Sequence, residues 1–156
     1  MLNRGALFLS LSLLGMPAWA IQPGDPLTPW TLLDQFDRPF TLNADTQVLL
    51  VARSMAAARL VNEALEAAPA GYLEGRHAAY IADIEHMPSV ARAFAIPAMR
   101  SAKYRILLDG DGQVAPRYEG AREGVQWLEV RGGTLQTQQQ FSDAAQLRQA
   151  LERLAQ

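Results

Sequence analysis

Residues 47–52 read QVLLVA and residues 53–65 read RSMAAARLVNEAL. The first stretch is a short, continuous apolar run rich in Val and Leu, the pattern of a strand buried on both faces of a sheet. The second changes period. Met55, Ala58, Val61, Leu65 and Ala68 recur at helical spacing, with Arg59, Asn62, Glu63 and Glu66 between them, so an amphipathic helix follows the strand directly. Ser54 stands where an N-cap belongs, and Pro69 with Gly71 ends the helix.

Working outward, the same alternation continues. Ala78 to Ile84 (AAYIADI) predicts a second strand. A short helix starting at Pro88 follows, with Val90, Ala93 and Phe94 facing inward. Tyr104 to Leu108 (YRILL) predicts another strand, ended by the turn Asp109-Gly110-Asp111-Gly112. Val125 to Val130, the turn Arg131-Gly132-Gly133 and Thr134 to Phe141 predict a hairpin. A last helix starts at Ser142-Asp143 and carries Leu147, Leu151 and Leu154 as its apolar stripe. Upstream, Leu32 to Leu42 reads as two strand-like pieces around Asp37-Arg38-Pro39. Residues 21–31, with three prolines and a glycine, read as an extended lead-in. Strand–helix–strand–helix followed by hairpin–helix predicts an α/β sandwich, parallel in its first part and antiparallel at the end.

The first 20 residues show the order of a secretory signal: Arg4, the apolar stretch Ala6 to Gly15, then Pro17 and the small-residue site Ala18-Trp19-Ala20. The expectation is cleavage near Ala20 and a periplasmic or secreted product, without a lipid anchor because no cysteine follows the apolar stretch. Residues 32–156 then form the single domain, a length that sustains one hydrophobic core. The chain has 156 residues and a net charge of −2. Without a Lys/Arg cluster, this balance argues against nucleic acid or an anionic membrane surface as partner. It contains no cysteine. That excludes a thiol nucleophile, a disulfide, an iron–sulfur cluster and a thiolate metal site.

The element order resembles the thioredoxin-like superfamily, in its peroxiredoxin and exported thioredoxin-like branch. Asp34 to Leu42 (DQFDRPFTL) resembles the opening segment of peroxiredoxins and membrane-associated thioredoxin-like proteins. Gln47 to Ala52 with its helix resembles the strand and active-site helix. Ala79 to Pro97 (AYIADIEHMPSVARAFAIP) resembles the strand, short helix and approach to the family's cis-proline, and the resemblance extends over residues 25–155. It implies a three-layer sandwich with a central mixed β-sheet and helices on both faces. Thioredoxins place C-x-x-C at the strand-to-helix turn, and peroxiredoxins a single cysteine. Here that turn reads RSMAAA (53–58), so the family's redox residues carry over to no position, and thiol–disulfide and peroxidase chemistry is excluded. Pro97 is either the cis-proline with an extended loop behind it or an ordinary trans loop residue. Either Tyr104–Leu108 or Val125–Val130 takes the place of the strand after it.

No catalytic residue is assigned. Arg53, Ser54, Met55, Met87, Pro97, Met99 and Arg100 form the expected binding face, since the resemblance gathers them around the groove beside the active-site helix. Met next to Arg suits adaptable protein contact. Met87 and Met99 also read as core filler, and Arg100 as a partner of Asp83 or Glu85. Ser54 reads as a cap, since no G-x-S-x-G surrounds it and only His77 and His86 are at hand as a base. Asp83, Glu85 and His86 are the one compact set of metal-ligand types; a zinc site wants three or four ligands and a partner for the histidine, with only His77 left as a further nitrogen, so loop polarity and helix capping are the expected roles. Asp109-x-Asp111-Gly112 lacks the later ligands of a calcium loop and reads as a turn. No metal or cofactor is expected. The leading expectation is a cysteine-less binding or assembly factor whose partner is another exported or membrane protein. The alternative is a thiol-independent enzyme or metal-handling protein built on Ser54, Arg53, Arg100 and His86.

Overall fold

The computed structural model describes residues 20–154; the expected signal segment lies outside them. Seven strands form one mixed sheet: β1 Thr31–Asp34, β2 Pro39–Thr41, β3 Val48–Ala52, β4 Ala78–Asp83, β5 Leu107–Asp109, β6 Val125–Arg131 and β7 Thr134–Phe141. Their spatial order is β2-β1-β5-β4-β3-β6-β7. β4 runs parallel to β3 and β5, and β6 is antiparallel to β3. Four helices complete the fold: α1 Met55–Leu65, α2 Tyr72–Gly75, α3 Ser89–Met99 and α4 Ala144–Glu152.

All five residues of β3 are buried, because strands flank it on both sides and apolar layers cover both faces. Val48, Leu50 and Ala52 point into one core layer, with Val61 and Leu65 of α1, Leu73 of α2, and Leu147 and Leu151 of α4. Leu49 and Val51 point into the other, with Leu27, Trp30, Val114 and Tyr118. The expected helices on both faces are therefore realised unequally. The α-helices pack on the first layer, while the lead-in and a 3₁₀ turn at Ala115–Arg117 cover the second. The lead-in is held by Leu27 N–H donating to Gly133 at 2.8 Å and Gly24 N–H to Leu135 at 2.8 Å. Gly132 and Gly133 both have positive φ, 56° and 78°, which a two-residue type I′ hairpin turn requires.

Four expectations need correction. Met55 does not face inward; it is 60% exposed, and Ala57, Val61, Ala64 and Leu65 make the buried face of α1. α3 is rotated from its expected phase. Val90 and Phe94 are 73% and 77% exposed, and the partly covered positions are Arg92, Ala95, Ile96 and Met99. Arg92 sets this phase by donating to the carbonyls of Ile84, Glu85, Met87 and Gly110, which pins that side of the helix to two loops. Next, α3 continues through Pro97, so this residue precedes no strand. No cis peptide bond occurs among the described residues. β6, not β5, lies against β3, and β5 borders the far side of β4. β5 is also shorter than expected. Residues 104–106 run irregularly because the buried Gln35 side chain takes their hydrogen bonds, donating to the Tyr104 carbonyl and accepting from Ile106 N–H.

Candidate functional site

The strand-to-helix junction at 52–55 forms as the sequence dictates. Ser54 has extended backbone angles, its Oγ accepts from Ala57 N–H at 3.1 Å, and its carbonyl accepts from Ala58 N–H at 3.0 Å. The same hydroxyl donates to the Arg122 carbonyl at 2.5 Å. One serine thus caps α1 and ties down the loop before β6.

Arg53 is 9% exposed. Its Nη2 donates to the carbonyls of Ala115, at 2.9 Å, and Tyr118. Burial lowers its pKa, and the charge of Asp83 opposes that shift. Its Nη1 has no partner, nor has the Oε1 of buried Gln126, whose Nε2 donates to the Glu119 carbonyl at 2.7 Å. Both unpaired atoms abut Gly120. A Cβ there would stand 2.6 Å from Arg53 Nη1 and 2.7 Å from Gln126 Oε1, so any larger residue must displace these buried side-chain ends. Sequence reasoning missed Gly120, Arg122 and Gln126. Gln126 had a faint signal, as a polar residue on the strand face that Leu128 and Val130 continue inward.

Beside the junction lies a groove of about 360 Å³. Five of the seven expected binding residues line it: Arg53, Ser54, Met55, Met87 and Met99. Pro97 and Arg100 do not. Pro97 is exposed in the last turn of α3, and Arg100 Nε donates to the Gln35 carbonyl at 2.8 Å instead of pairing with Asp83 or Glu85. Asp83, His86 and Arg122 join the groove lining.

Neither histidine is placed to activate Ser54. His77 precedes β4 at the opposite end of the strand, beside Glu74 and Arg105. His86 is on the groove rim, 3.8 Å from Glu85, and makes no hydrogen bond to Ser54. No three His, Asp or Glu side chains converge among the described residues. The Asp109 carboxylate is fully buried and accepts the N–H groups of Gln113, Val114 and Ala115, so it anchors a turn. As the junction stands, the Ser54 hydroxyl meets two backbone groups and no histidine. Beside it lies the methionine-lined surface of the groove.

No family model matches the chain, and no curated protein matches it. Solved structures do. A peroxidoxin BcpB from Mycobacterium tuberculosis is similar at 16% identity and a TM-score of 0.56, covering 86% of this chain and 96% of that one. A putative thiol:disulfide interchange protein DsbE from Chlorobium tepidum is similar at 16% identity and a TM-score of 0.58, covering 87% and 100%. An uncharacterised conserved protein from Geobacillus kaustophilus is similar at 17% identity and a TM-score of 0.59, covering 90% and 87%. At such identities the likeness is one of architecture, and it agrees with the element order: the chain has the thioredoxin-like fold and carries no cysteine in it.

Proposed function

We propose that the chain is an exported, non-catalytic binding domain that offers the groove beside α1 to an apolar segment of another exported or membrane protein. The observation that carries this reading is the state of the β3–α1 junction. The Ser54 hydroxyl is committed to two backbone groups, Arg53 to two carbonyls, and the adjoining groove is bordered by Met55, Met87 and Met99. Thioether side chains adapt their shape to a partner, which suits docking and not turnover. Export rests on the signal-like order of residues 1–20.

The test is site-specific photo-crosslinking in living cells, with the photoreactive residue at Met55 or Ala91 on the groove and at Glu74 in α2, which precedes β4, as control. A single exported or membrane protein captured from the groove positions alone is the expected result. Equal capture from Glu74, or a robust turnover of a small substrate abolished by Ser54→Ala, overturns the reading.

A further inference from the structure

After Met16 the chain contains three methionines, and all three line the one groove, together with one of its two histidines. The backbone explains the convergence. Ala52 of β3 pairs with Ala82 of β4, so the two strands end side by side. Met55 follows the first end by three residues and Met87 the second by five. Met99 closes α3, whose Ala91 borders the same space. Met87 and Met99 rest against the core layer, whereas Met55 is mostly exposed and free to fold over them.

Thioether sulfurs are soft, neutral donors, and such donors select Cu(I) over hard or divalent ions. The charges facing the groove narrow the choice further. Arg53 and Arg122 bring positive charge and Asp83 a single negative one, and the Arg53 guanidinium is turned onto the carbonyls of Ala115 and Tyr118. A dication would find no net negative charge here, and calcium or magnesium would want an oxygen cluster that the described residues do not form. A monovalent soft ion on neutral ligands fits this balance best. His86, with a side chain 73% exposed, can bring an imidazole nitrogen from the rim.

We propose that the groove binds one Cu(I) through the thioethers of Met55, Met87 and Met99, with His86 as the nitrogen ligand. The ion is cargo, held and released without change of oxidation state. This inference is independent of the protein-docking reading.

The test is an anaerobic titration of the chain with Cu(I) in ascorbate, in competition with the chromophoric chelator bathocuproine disulfonate. One Cu(I) is expected per chain. Met87→Leu and Met99→Leu should each weaken binding by about tenfold or more, and the triple Met→Leu variant should abolish it. Leu conserves volume and apolarity. Crosslinking from Ala91 in the otherwise unaltered chain, with copper chelated from the medium, reads docking alone, so the two readings fail separately. Failure to withdraw copper from the chelator, or undiminished binding by the triple variant, overturns the proposal. Should that variant not fold, copper X-ray absorption on the unaltered chain decides: sulfur bonded to copper supports the site, and nitrogen and oxygen alone refute it.

Discussion

The indole N–H of Trp30 donates to the Tyr118 hydroxyl at 2.8 Å, joining the lead-in to the segment after the 3₁₀ turn. Both side chains are buried in the core layer that lacks α-helices, so this bond helps hold that layer closed. Tyr118→Phe keeps the ring and strands the indole N–H away from water. The expected cost is about 1–3 kcal/mol, read as a lower urea midpoint with an unchanged m-value.

Ser54 contributes through two bonds of different kinds. Ser54→Ala should cost about 1–2 kcal/mol, the usual loss of a cap together with the loop tie to Arg122. Ser54→Asp retains the cap acceptor but cannot donate to the Arg122 carbonyl. It should melt between Ser54→Ala and the unaltered chain, as thermal denaturation will show.

Space favours glycine at position 120 and not at position 75. Gly120→Ala drives a methyl into Arg53 Nη1 and Gln126 Oε1 and should destabilise by about 1–3 kcal/mol. Gly75→Ala, with nothing within 4 Å, should be neutral or stabilising by up to about 1 kcal/mol. Equal effects in chemical denaturation would contradict the packing described here.

Burial raises the pKa of the Tyr80, Tyr104 and Tyr118 hydroxyls, in each case as the leading cause. The folded chain therefore holds these protons more tightly than the unfolded one. Stability should be intact below the ordinary tyrosine pKa of about 10 and fall as pH rises beyond it. Melting curves from pH 8 to 12 check this; a melting temperature that is flat above pH 10 would contradict it.

The outward face of α3 carries large apolar side chains that support nothing beneath them. Val90→Asn and Phe94→Ser should each change stability by no more than about 0.5 kcal/mol. Equilibrium unfolding measures this directly. A loss of several kcal/mol would restore the phase that periodicity suggests.

That helix also shows where sequence reading stops. The β3–α1 unit was legible because a strand buried on all sides has only apolar residues, and because a Ser before a helical pattern has one common use. For α3 the periodicity predicts Val90, Ala93 and Phe94 inward, whereas the phase adopted depends on Arg92 reaching three carbonyls of the preceding loop and that of Gly110 on another. No local pattern encodes that. Pro97 misled for a related reason: helix α3 carries a proline in its exposed last turn, where the N–H it cannot donate leaves an outward carbonyl to solvent. Of the site, the junction and its methionines could be read from the chain. The packing of Gln126 and Gly120 against Arg53 could not, because it needs β6 to lie beside β3.

Arg53, Arg76, Arg92, Arg100 and Arg117 all donate to main-chain carbonyls, and among the described residues no arginine or lysine pairs with a carboxylate. Dissolved ions weaken attraction between opposite charges far more than they weaken a guanidinium seated on a peptide oxygen. Such a protein keeps its shape from dilute water to brine, and it tolerates a swap of surface acids for amides better than a swap of arginine for lysine.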